Sequence, residues 1–264
     1  MRLPVLGQGE GWIALEKPAG IGLRLHPWDP GTKDLDRALN EQLRAGKGEL
    51  LRTGAALFAS AFYLDPEISG LGLFATSAES QAALRNAVGS EQALFRFLFV
   101  LPGCPEPADE IICETPLLTH HTKAKMVPSS AKGKKTRTCF RRLAQSGAGW
   151  ELWEASATLL RPHQVRIHAR LSGLAIPGDL LYDGPPLPVR GDIRRIKGRA
   201  ATGPVFGGMP LHLDRLTVKE LGIDVQAPAP KALRASLRQL GLLESFEAAS
   251  VSSGEPDSGR SAEA

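Results

Sequence analysis

A single carboxylate, Asp65, stands between two apolar runs in the segment FASAFYLDPEISGLGLFATS, which spans residues 58–77. Two roles fit an acid in this position. An aspartate at the mouth of a fold can serve as a nucleophile or a general base, whereas an acid just before a Ser-Gly pair commonly belongs to the turn. The local pattern alone favours the turn.

A group of cationic side chains follows about a hundred residues later, in the segment RPHQVRIHARLSG. The proline near its start and the glycine at its end predict a short helix from about Pro162 to Ser172. His163, Arg166 and Arg170 would then share one helix face. This face is either solvated or turns one arginine inward. In the second case Arg166 would pair with a carboxylate across the core, keep it ionised and orient it bidentately.

Other chemistries lack their sequence patterns. The stretches GKGE and GKKT both miss the spacing of a phosphate-binding P-loop. Ser69 has no glycine two residues before it, so it does not form a nucleophile elbow. His120 and His121 are adjacent, and no carboxylate lies beside them, so we predict no metal site there.

Hydrophobic periodicity predicts the elements that must position these residues. Strands are predicted in GWIALEKPAG, LGLFATS, FRFLFVL, TRTCFRRL, WELWEASATL and MPLHLDRLTV, the fourth and fifth forming a hairpin. Helices are predicted in DLDRALNEQLRAG, in AESQAALRNAV with Ser77 as its cap, and in KALRASLRQLG. Without a repeat or an evident linker, the pattern predicts one α+β catalytic-type domain over residues 1–243, followed by an acidic, disordered tail over residues 244–264.

The composition suits a folded domain and a polyanionic partner. The chain has 264 residues, of which 42% are hydrophobic, and a net charge of +4. The tail carries five acids and one arginine, so the rest of the chain stands at +8. No apolar run is long enough for a membrane span and no signal peptide is evident, which predicts a cytoplasmic protein. Three cysteines without a C-x-x-C pair predict reduced thiols, not disulfides or zinc: Cys104, Cys113 and Cys139.

Four separated segments together resemble the RluA/RsuA family of RNA pseudouridine synthases. ALEKPAGI resembles the first family motif, N-K-P-x-G, and FYLDPEISGLGLFATS the second, H-R-L-D-x-x-T-S-G-L-L-L-F-A. RPHQVRIHARLSGLAIPGDLLYDG closely resembles the third, G-R-x-H-Q-I-R-V-H-L-x-x-x-G-x-P-I-x-G-D-x-x-Y-G. GPPLPVRGDIRRIKG and the later LHLDRL are similar to the insertion and closing strand of the RluA-like branch. The resemblance covers residues 11 to about 218.

This resemblance implies a mixed, largely antiparallel sheet with flanking helices and a central RNA-binding cleft. It also implies isomerisation of uridine to pseudouridine without cofactor or metal. Asp65 matches the essential aspartate, which either attacks the ribose C1′ or removes a ribose proton, and Arg166 matches the arginine that pairs with it. Substrate contact or support is expected from Lys17, His163 and Gln164. Basic segments are expected to contact RNA phosphates through Lys123, Lys125, Lys132, Lys134, Lys135, Arg137, Arg194, Arg195 and Lys197.

The chain departs from the family at two places. Phe62 and Tyr63 replace the His-Arg pair before Leu-Asp, and Phe97 replaces a tyrosine thought to assist the late proton removal from C5. The Phe97 ring can still stack on uracil, and the Tyr63 phenol could reach the site from another direction.

Three hypotheses follow. The first is a monomeric synthase acting on structured RNA, either rRNA or tRNA. The second is a catalytically impaired RNA-binding protein or RNA chaperone on the same fold. The third is a basic protein unrelated to RNA.

Overall fold

The computed structural model describes residues 3–103, 108–193 and 202–251, and the statements below concern these residues. The strands are β1 (Val5–Gly9), β2 (Trp12–Lys17), β3 (Ala59–Ser60), β4 (Ser69–Ala75), β5 (Ala93–Pro102), β6 (Glu110–Cys113), β7 (Leu117–Thr119), β8 (Met126–Pro128), β9 (Thr138–Gln145), β10 (Trp150–Ala157), β11 (Leu211–Val218) and β12 (Ile223–Gln226). The helices are α1 (Leu35–Arg44), α2 (Gly48–Leu51), α3 (Ala78–Gly89), α4 (Gln164–Leu171), α5 (Arg190–Ile193), α6 (Lys231–Leu240) and α7 (Leu243–Val251). Short 3₁₀ turns cover Leu180–Tyr182 and Lys219–Leu221.

One large sheet forms the centre of the fold. Its strands lie in the order β1-β2-β4-β11-β5-β10-β9-β6, with β12 beside β11 and β3 beside β4, while β7 and β8 form a separate hairpin. The β4–β11 pair is parallel and the other described strand pairs are antiparallel. The structure therefore confirms the predicted α+β class, the mixed and largely antiparallel sheet, and the β9–β10 hairpin.

The central strand β5 is buried on both faces, because its alternate residues point to opposite sides of the sheet. One set of its side chains joins the main apolar cluster: Phe95, Phe97, Phe99 and Leu101. The other set joins a second cluster with residues of α6 and α7: Leu98 and Val100. Burial on both faces explains why this segment reads as a continuous apolar run.

The parallel contact between β4 and β11 fixes the start of β4. Gly70 has φ +145°, and a Cβ atom there would collide with the backbone of Leu213, so this position requires glycine. Beside it, the Ser69 hydroxyl lies 2.9 Å from Nδ1 of the buried His212. The segment that carries Asp65, five residues before Gly70, is therefore anchored to the centre of the sheet.

The C-terminal segment differs from the prediction. Residues 244–251 belong to α7, so the prediction of a disordered tail from residue 244 is wrong for this part. Phe246 is buried in the second apolar cluster, and Ser250 bonds to groups of β5 and β11. A propensity argument misses this helix because tertiary contacts stabilise it. Residues 252–264 lie outside the described residues.

Two other predictions concern loops and membranes. The segment 120–142, whose first part was predicted as a loop, contains β8 and part of β9. The second basic segment, residues 189–203, contains the short helix α5. Its residues 194–201, including Arg194, Arg195 and Lys197, lie outside the described residues. Among the described helices, none has the length and apolar character that crossing a bilayer requires.

Candidate active site

Asp65 lies in the connection between β3 and β4, and its carboxylate is almost closed to solvent, with 2% of the residue exposed. Oδ1 accepts a hydrogen bond from the backbone N–H of His163 (3.2 Å), and Oδ2 accepts one from Nη1 of Arg166 (3.1 Å). A guanidinium and the positive end of a helix dipole thus both stabilise the buried negative charge. A carboxylate has about four lone-pair directions, so these two bonds leave acceptor capacity for a substrate.

Arg166 is buried among three carboxylates, which confirms the inward-facing alternative of the sequence analysis. Its Nε and Nη2 form a bidentate pair with Asp179 (2.8 and 2.7 Å). Nη1 is left for Asp65 and for Glu67 at 3.4 Å. The sequence analysis predicts a bidentate pair between Arg166 and the catalytic carboxylate. In the structure the bidentate partner is Asp179, and Asp65 receives a single bond. These carboxylates raise the pKa of the Arg166 guanidinium against the opposing effect of burial.

The helix that carries Arg166 starts later than predicted. It begins at Gln164, because His163 adopts a left-handed backbone with φ +57° and φ, ψ values outside the helix. A non-glycine residue in this region costs energy and is common at functional sites. Here the conformation accompanies the bond from the His163 N–H to Asp65. The predicted shared cationic face is not formed: Arg166 is buried, whereas Arg170 is exposed near Asp183 (3.8 Å).

Tyr182 and Trp28, which the sequence analysis did not select, surround His163. The Tyr182 hydroxyl lies 2.9 Å from Nδ1 of His163, and its ring lies 5.5 Å from the Arg166 guanidinium carbon. Trp28 packs against the other side of His163, with ring centroids 5.0 Å apart. Burial lowers the pKa of the His163 imidazole, although the charge of Asp65 acts in the opposite direction. His163 is therefore a neutral, fixed group beside the carboxylate at physiological pH.

Lys17 supports the Asp65 segment from β2. Its ammonium group donates to the backbone carbonyls of Ile68, Pro66 (3.3 Å) and Pro18 (3.3 Å). Burial lowers the pKa of Lys17 to about 7, against the attraction of the Asp65 and Glu67 charges. This geometry supports the structural role that the first motif implied, in which Lys17 shapes the loop that presents Asp65.

Gln164 anchors α4 to its neighbours. Its side-chain oxygen accepts from the backbone N–H of Arg161 (2.9 Å), and its amide nitrogen donates to the Arg137 carbonyl (3.1 Å) and the Thr138 hydroxyl (3.2 Å). The residue is 1% exposed. Substrate contact by Gln164, as predicted from the sequence, would require these bonds to break.

The two residues that depart from the family motifs are both buried. Phe97 belongs to the main apolar cluster and is 1% exposed, so stacking on uracil would require local opening. The Tyr63 hydroxyl is buried without a hydrogen-bond partner among the described residues. Burial and the charges of Asp65 and Glu67 raise the pKa of the Tyr63 phenol. Tyr63 is thus near the site, as predicted, but stays a neutral phenol at physiological pH.

The first basic segment, residues 120–142, carries exposed cationic side chains and is joined to the candidate site by a hydrogen bond. Lys123, Lys132, Lys134, Lys135 and Arg137 are exposed, and Lys125 is half-buried. Arg137 already pairs with the exposed Glu114, so its charge is partly compensated. The backbone N–H of Met126 in β8 donates to the Tyr182 hydroxyl (3.0 Å), which links this segment to His163.

The described histidines and cysteines form neither a metal-binding cluster nor a disulfide. Within the described ranges, no cluster of three His, Cys, Asp or Glu side chains could hold a metal ion. His120 and His121 stack on each other at the surface. Cys113 and Cys139 are free thiols, and Cys104 lies outside the described residues.

Comparisons with known proteins support the class that the fold and the carboxylate site suggest. No protein-family model matches the sequence. A stretch of 125 residues is 27% identical to the human pseudouridylate synthase RPUSD2, and it covers 46% of this chain and 22% of that protein. The mouse protein of the same name is 28% identical over 120 residues, which cover 46% and 21%. The match therefore spans about a fifth of the length of these curated relatives.

Solved structures show the same similarity over most of the chain. The human RNA pseudouridylate synthase domain-containing protein 4 matches with a TM-score of 0.68 at 18% identity, covering 90% of this chain and 92% of that one. The human RNA pseudouridylate synthase domain-containing protein 1 matches with a TM-score of 0.60 at 18% identity. The match covers 87% of this chain and 84% of that one. The chain therefore has the pseudouridine synthase fold. Within that class, its sequence is similar to RPUSD2 of human and mouse.

Proposed function

We propose that this chain is an RNA pseudouridine synthase of the RluA-like branch that uses Asp65 and needs no cofactor or metal. The observation that carries the proposal is the Asp65 carboxylate, held by Arg166 and the His163 N–H inside a pseudouridine synthase fold. The named activities of the similar proteins support the same reaction. The proposal includes a monomer that acts in the cytoplasm.

The reaction is an isomerisation, so its atoms balance without a co-reactant. The N1–C1′ bond of uridine breaks, uracil rotates, and a C5–C1′ bond forms while C5 loses a proton and N1 gains one. Asp65 either attacks C1′ or takes a ribose proton, and both routes need an ionised carboxylate next to the sugar. Arg166 and the His163 N–H stabilise that ionised form and fix its direction.

The proposed substrate is structured RNA, either tRNA or rRNA. The exposed lysines of the first basic segment can neutralise phosphates and release counterions. Through Met126 and Tyr182 this segment connects to His163, which touches Asp65. RNA bound there would lie next to the reaction site. The target uridine must leave its stack, which costs a few kcal/mol that such contacts offset.

A second candidate is an RNA-binding protein that has lost catalysis on this fold. Phe97 and Tyr63 favour it: the first has no hydroxyl, and the second is a buried phenol with a raised pKa. Neither side chain supplies a base for the final proton removal from C5. Retention of the complete Asp65, Arg166 and Asp179 arrangement favours the enzyme, because binding alone does not need a buried carboxylate with free acceptor positions.

The deciding experiment measures tritium release from uridine C5. Total tRNA and total rRNA labelled at this position are incubated with the protein, and Asp65→Asn is the control. We expect release with one of the two RNA classes, and a rate lower by ~10²–10⁴-fold or more in Asp65→Asn. Release equal to that control in both RNA classes would contradict the enzyme and leave RNA binding as the function. Turnover undiminished in Tyr63→Phe would exclude any part for that phenol.

A further inference from the structure

A cavity of about 320 Å³ opens beside the candidate active site. Its wall is unusually rich in arginine, since three separate segments of the chain each contribute one guanidinium. Its principal lining residues are Arg24, Phe62, Tyr63, Arg85, Arg161 and Pro162. We call this space the arginine cavity.

The arginine cavity adjoins the Asp65 site on two sides. Tyr63 lies two residues before Asp65, whose charge raises the pKa of the Tyr63 phenol. Arg161 lies two residues before His163, whose backbone N–H donates to the Asp65 carboxylate. A molecule in this cavity would therefore lie next to whatever contacts Asp65.

The positive charges in the cavity have no carboxylate partner. None of the ion pairs among the described residues involves Arg24, Arg85 or Arg161. With its amide oriented to accept, Gln81 takes hydrogen bonds from Arg85, but this group is neutral. Burial and the charge of Arg85 lower the pKa of Arg24, and the charge of Asp36, which forms no ion pair with Arg24, acts in the opposite direction. Guanidinium groups close enough to repel one another need an anion to stabilise them.

Two buried hydrogen-bond donors in the same wall are also unsatisfied. Tyr63 Oη and Arg161 Nε are closed to solvent and have no partner among the described residues. Buried polar groups are paired in most proteins, and one without a partner in a native structure calls for an explanation. The residue Tyr63 is 6% exposed, so solvent does not replace the missing acceptor. Side-chain shifts that turn these two atoms toward the cavity would let an anion with several acceptor oxygens satisfy both donors and the charges together.

We infer that the arginine cavity binds a backbone phosphate of the RNA, adjacent to the nucleotide whose ribose lies at Asp65. This inference rests on the proposed function, since every ribose inside an RNA chain carries phosphates on both its 3′ and 5′ sides. Arginine is suited to this role because its planar fork matches phosphate oxygens. A free phosphate ion offers the same chemistry, so the experiment must separate the two sources.

The test measures binding of a short stem-loop RNA with an all-uridine loop, at several KCl concentrations. All proteins carry Asp65→Asn, so that turnover does not enter the result. The double variant Arg24→Gln/Arg161→Gln is compared with Arg44→Gln/Arg238→Gln, which removes two exposed arginines on α1 and α6. We expect the cavity variant to bind ~10-fold more weakly and to lose about 0.7–0.9 from the slope of log K against log[KCl], as for one lost phosphate contact. The control variant should lose less affinity and less of the salt slope.

A second arm identifies the phosphate. Single loop linkages are replaced, one at a time, by uncharged methylphosphonates. One replacement should weaken binding to the Asp65→Asn protein and have no further effect on the cavity variant. Arg24→Lys/Arg161→Lys, which keeps the charges, should retain the salt slope, and circular dichroism melting checks that each variant is folded.

Several results would overturn the inference. One is a salt slope of the cavity variant equal to that of the control variant. Another is stabilisation by inorganic phosphate alone without methylphosphonate coupling, which would assign the cavity to a small free anion. Tritium release by the unmodified protein with no such coupling would remove this inference and leave the proposed function standing. Methylphosphonate coupling without tritium release would support phosphate binding in the arginine cavity and contradict the proposed enzyme.

Discussion

Among the described residues, Arg96 and Arg166 are two buried arginines that pair with aspartates, and they differ in what surrounds them. Asp214 of β11 pairs with Arg96 of β5, and the Ser250 hydroxyl of α7 donates to the same carboxylate (2.7 Å). Arg96 also donates to the Ser250 carbonyl (3.1 Å). At the candidate active site, Asp65 receives one guanidinium bond and one backbone N–H.

The balance of charges distinguishes the two pairs. Around Asp214, a guanidinium and a hydroxyl from two other elements satisfy one carboxylate, so the network holds β5, β11 and α7 together. Around Arg166, three carboxylates share one guanidinium, and Asp65 is held less firmly than Asp179, which takes the bidentate position. Burial alone therefore does not identify a reactive carboxylate. The acceptor capacity that remains after protein contacts are counted is the better criterion.

The largest expected effect separates the pairs by stability. Asp214→Asn should lower the free energy of unfolding by ~3–5 kcal/mol, because it removes the charge of a buried carboxylate that holds Arg96 of β5 and Ser250 of α7 together. Asp65→Asn should change this free energy far less, since Arg166 keeps Asp179 and Glu67. Urea denaturation of both variants measures the difference. Equal losses of stability would mean that the two pairs play the same structural part.

The next effect concerns Asp179 as a positioning residue. Asp179→Asn removes the charge that fixes the Arg166 fork, so the guanidinium and Asp65 should lose their alignment. We expect kcat for tritium release to fall ~10–100-fold, with KM changed less than kcat. The matched control is Asp183→Asn, an exposed acid in the same loop, which should leave kcat unchanged. A rise in KM with kcat unchanged would assign Asp179 to RNA binding.

The smallest effect per measured step is a pH dependence from Lys17. Its pKa is about 7 in the folded protein and returns to 10.5 on unfolding, so unfolding takes up a proton between these values. The free energy of unfolding should therefore rise with pH across this window, by up to ~1.4 kcal/mol per pH unit. Below pH 7 Lys17 should add nothing to the slope, because both states are protonated there and its destabilising effect is complete. Lys17→Met should lack this part of the slope. Identical slopes in both proteins, measured by urea denaturation from pH 6 to 10, would contradict the lowered pKa.

The Asp65–Arg166 pair could be predicted from the sequence because two motifs a hundred residues apart each carry one partner. Asp179 could have been found as well, since the GD of the third motif contains it. Its bidentate contact with Arg166 was missed because the residue lies in a loop without periodicity. The later start of α4 was not predictable from propensity, because the left-handed backbone of His163 accompanies a bond to a distant residue.

The strands and helices also differ in what stabilises them, since some depend on local sequence and others on tertiary contacts. The apolar runs of β4 and β5 identify strands by composition, and Ser77 identifies the start of α3 by its capping bonds. In contrast, α7 contains four polar or charged residues among its nine and depends on Phe246 and Ser250 meeting groups from other elements. Sequence patterns predict an element where its own side chains stabilise it, and fail where distant partners do.

The parallel joint between β4 and β11 also has a consequence for biosynthesis. Ser69 and His212, which bond across it, are 143 residues apart, and Asp65 and Arg166 are 101 apart. Contacts between such distant positions form late in folding. A nascent chain cannot complete this joint until β11, residues Leu211–Val218, has been synthesised and has left the ribosomal exit tunnel. The segment that carries Asp65 therefore gains its anchor only after β11 is available, and a product that ends before β11 would lack the strand that anchors its aspartate loop.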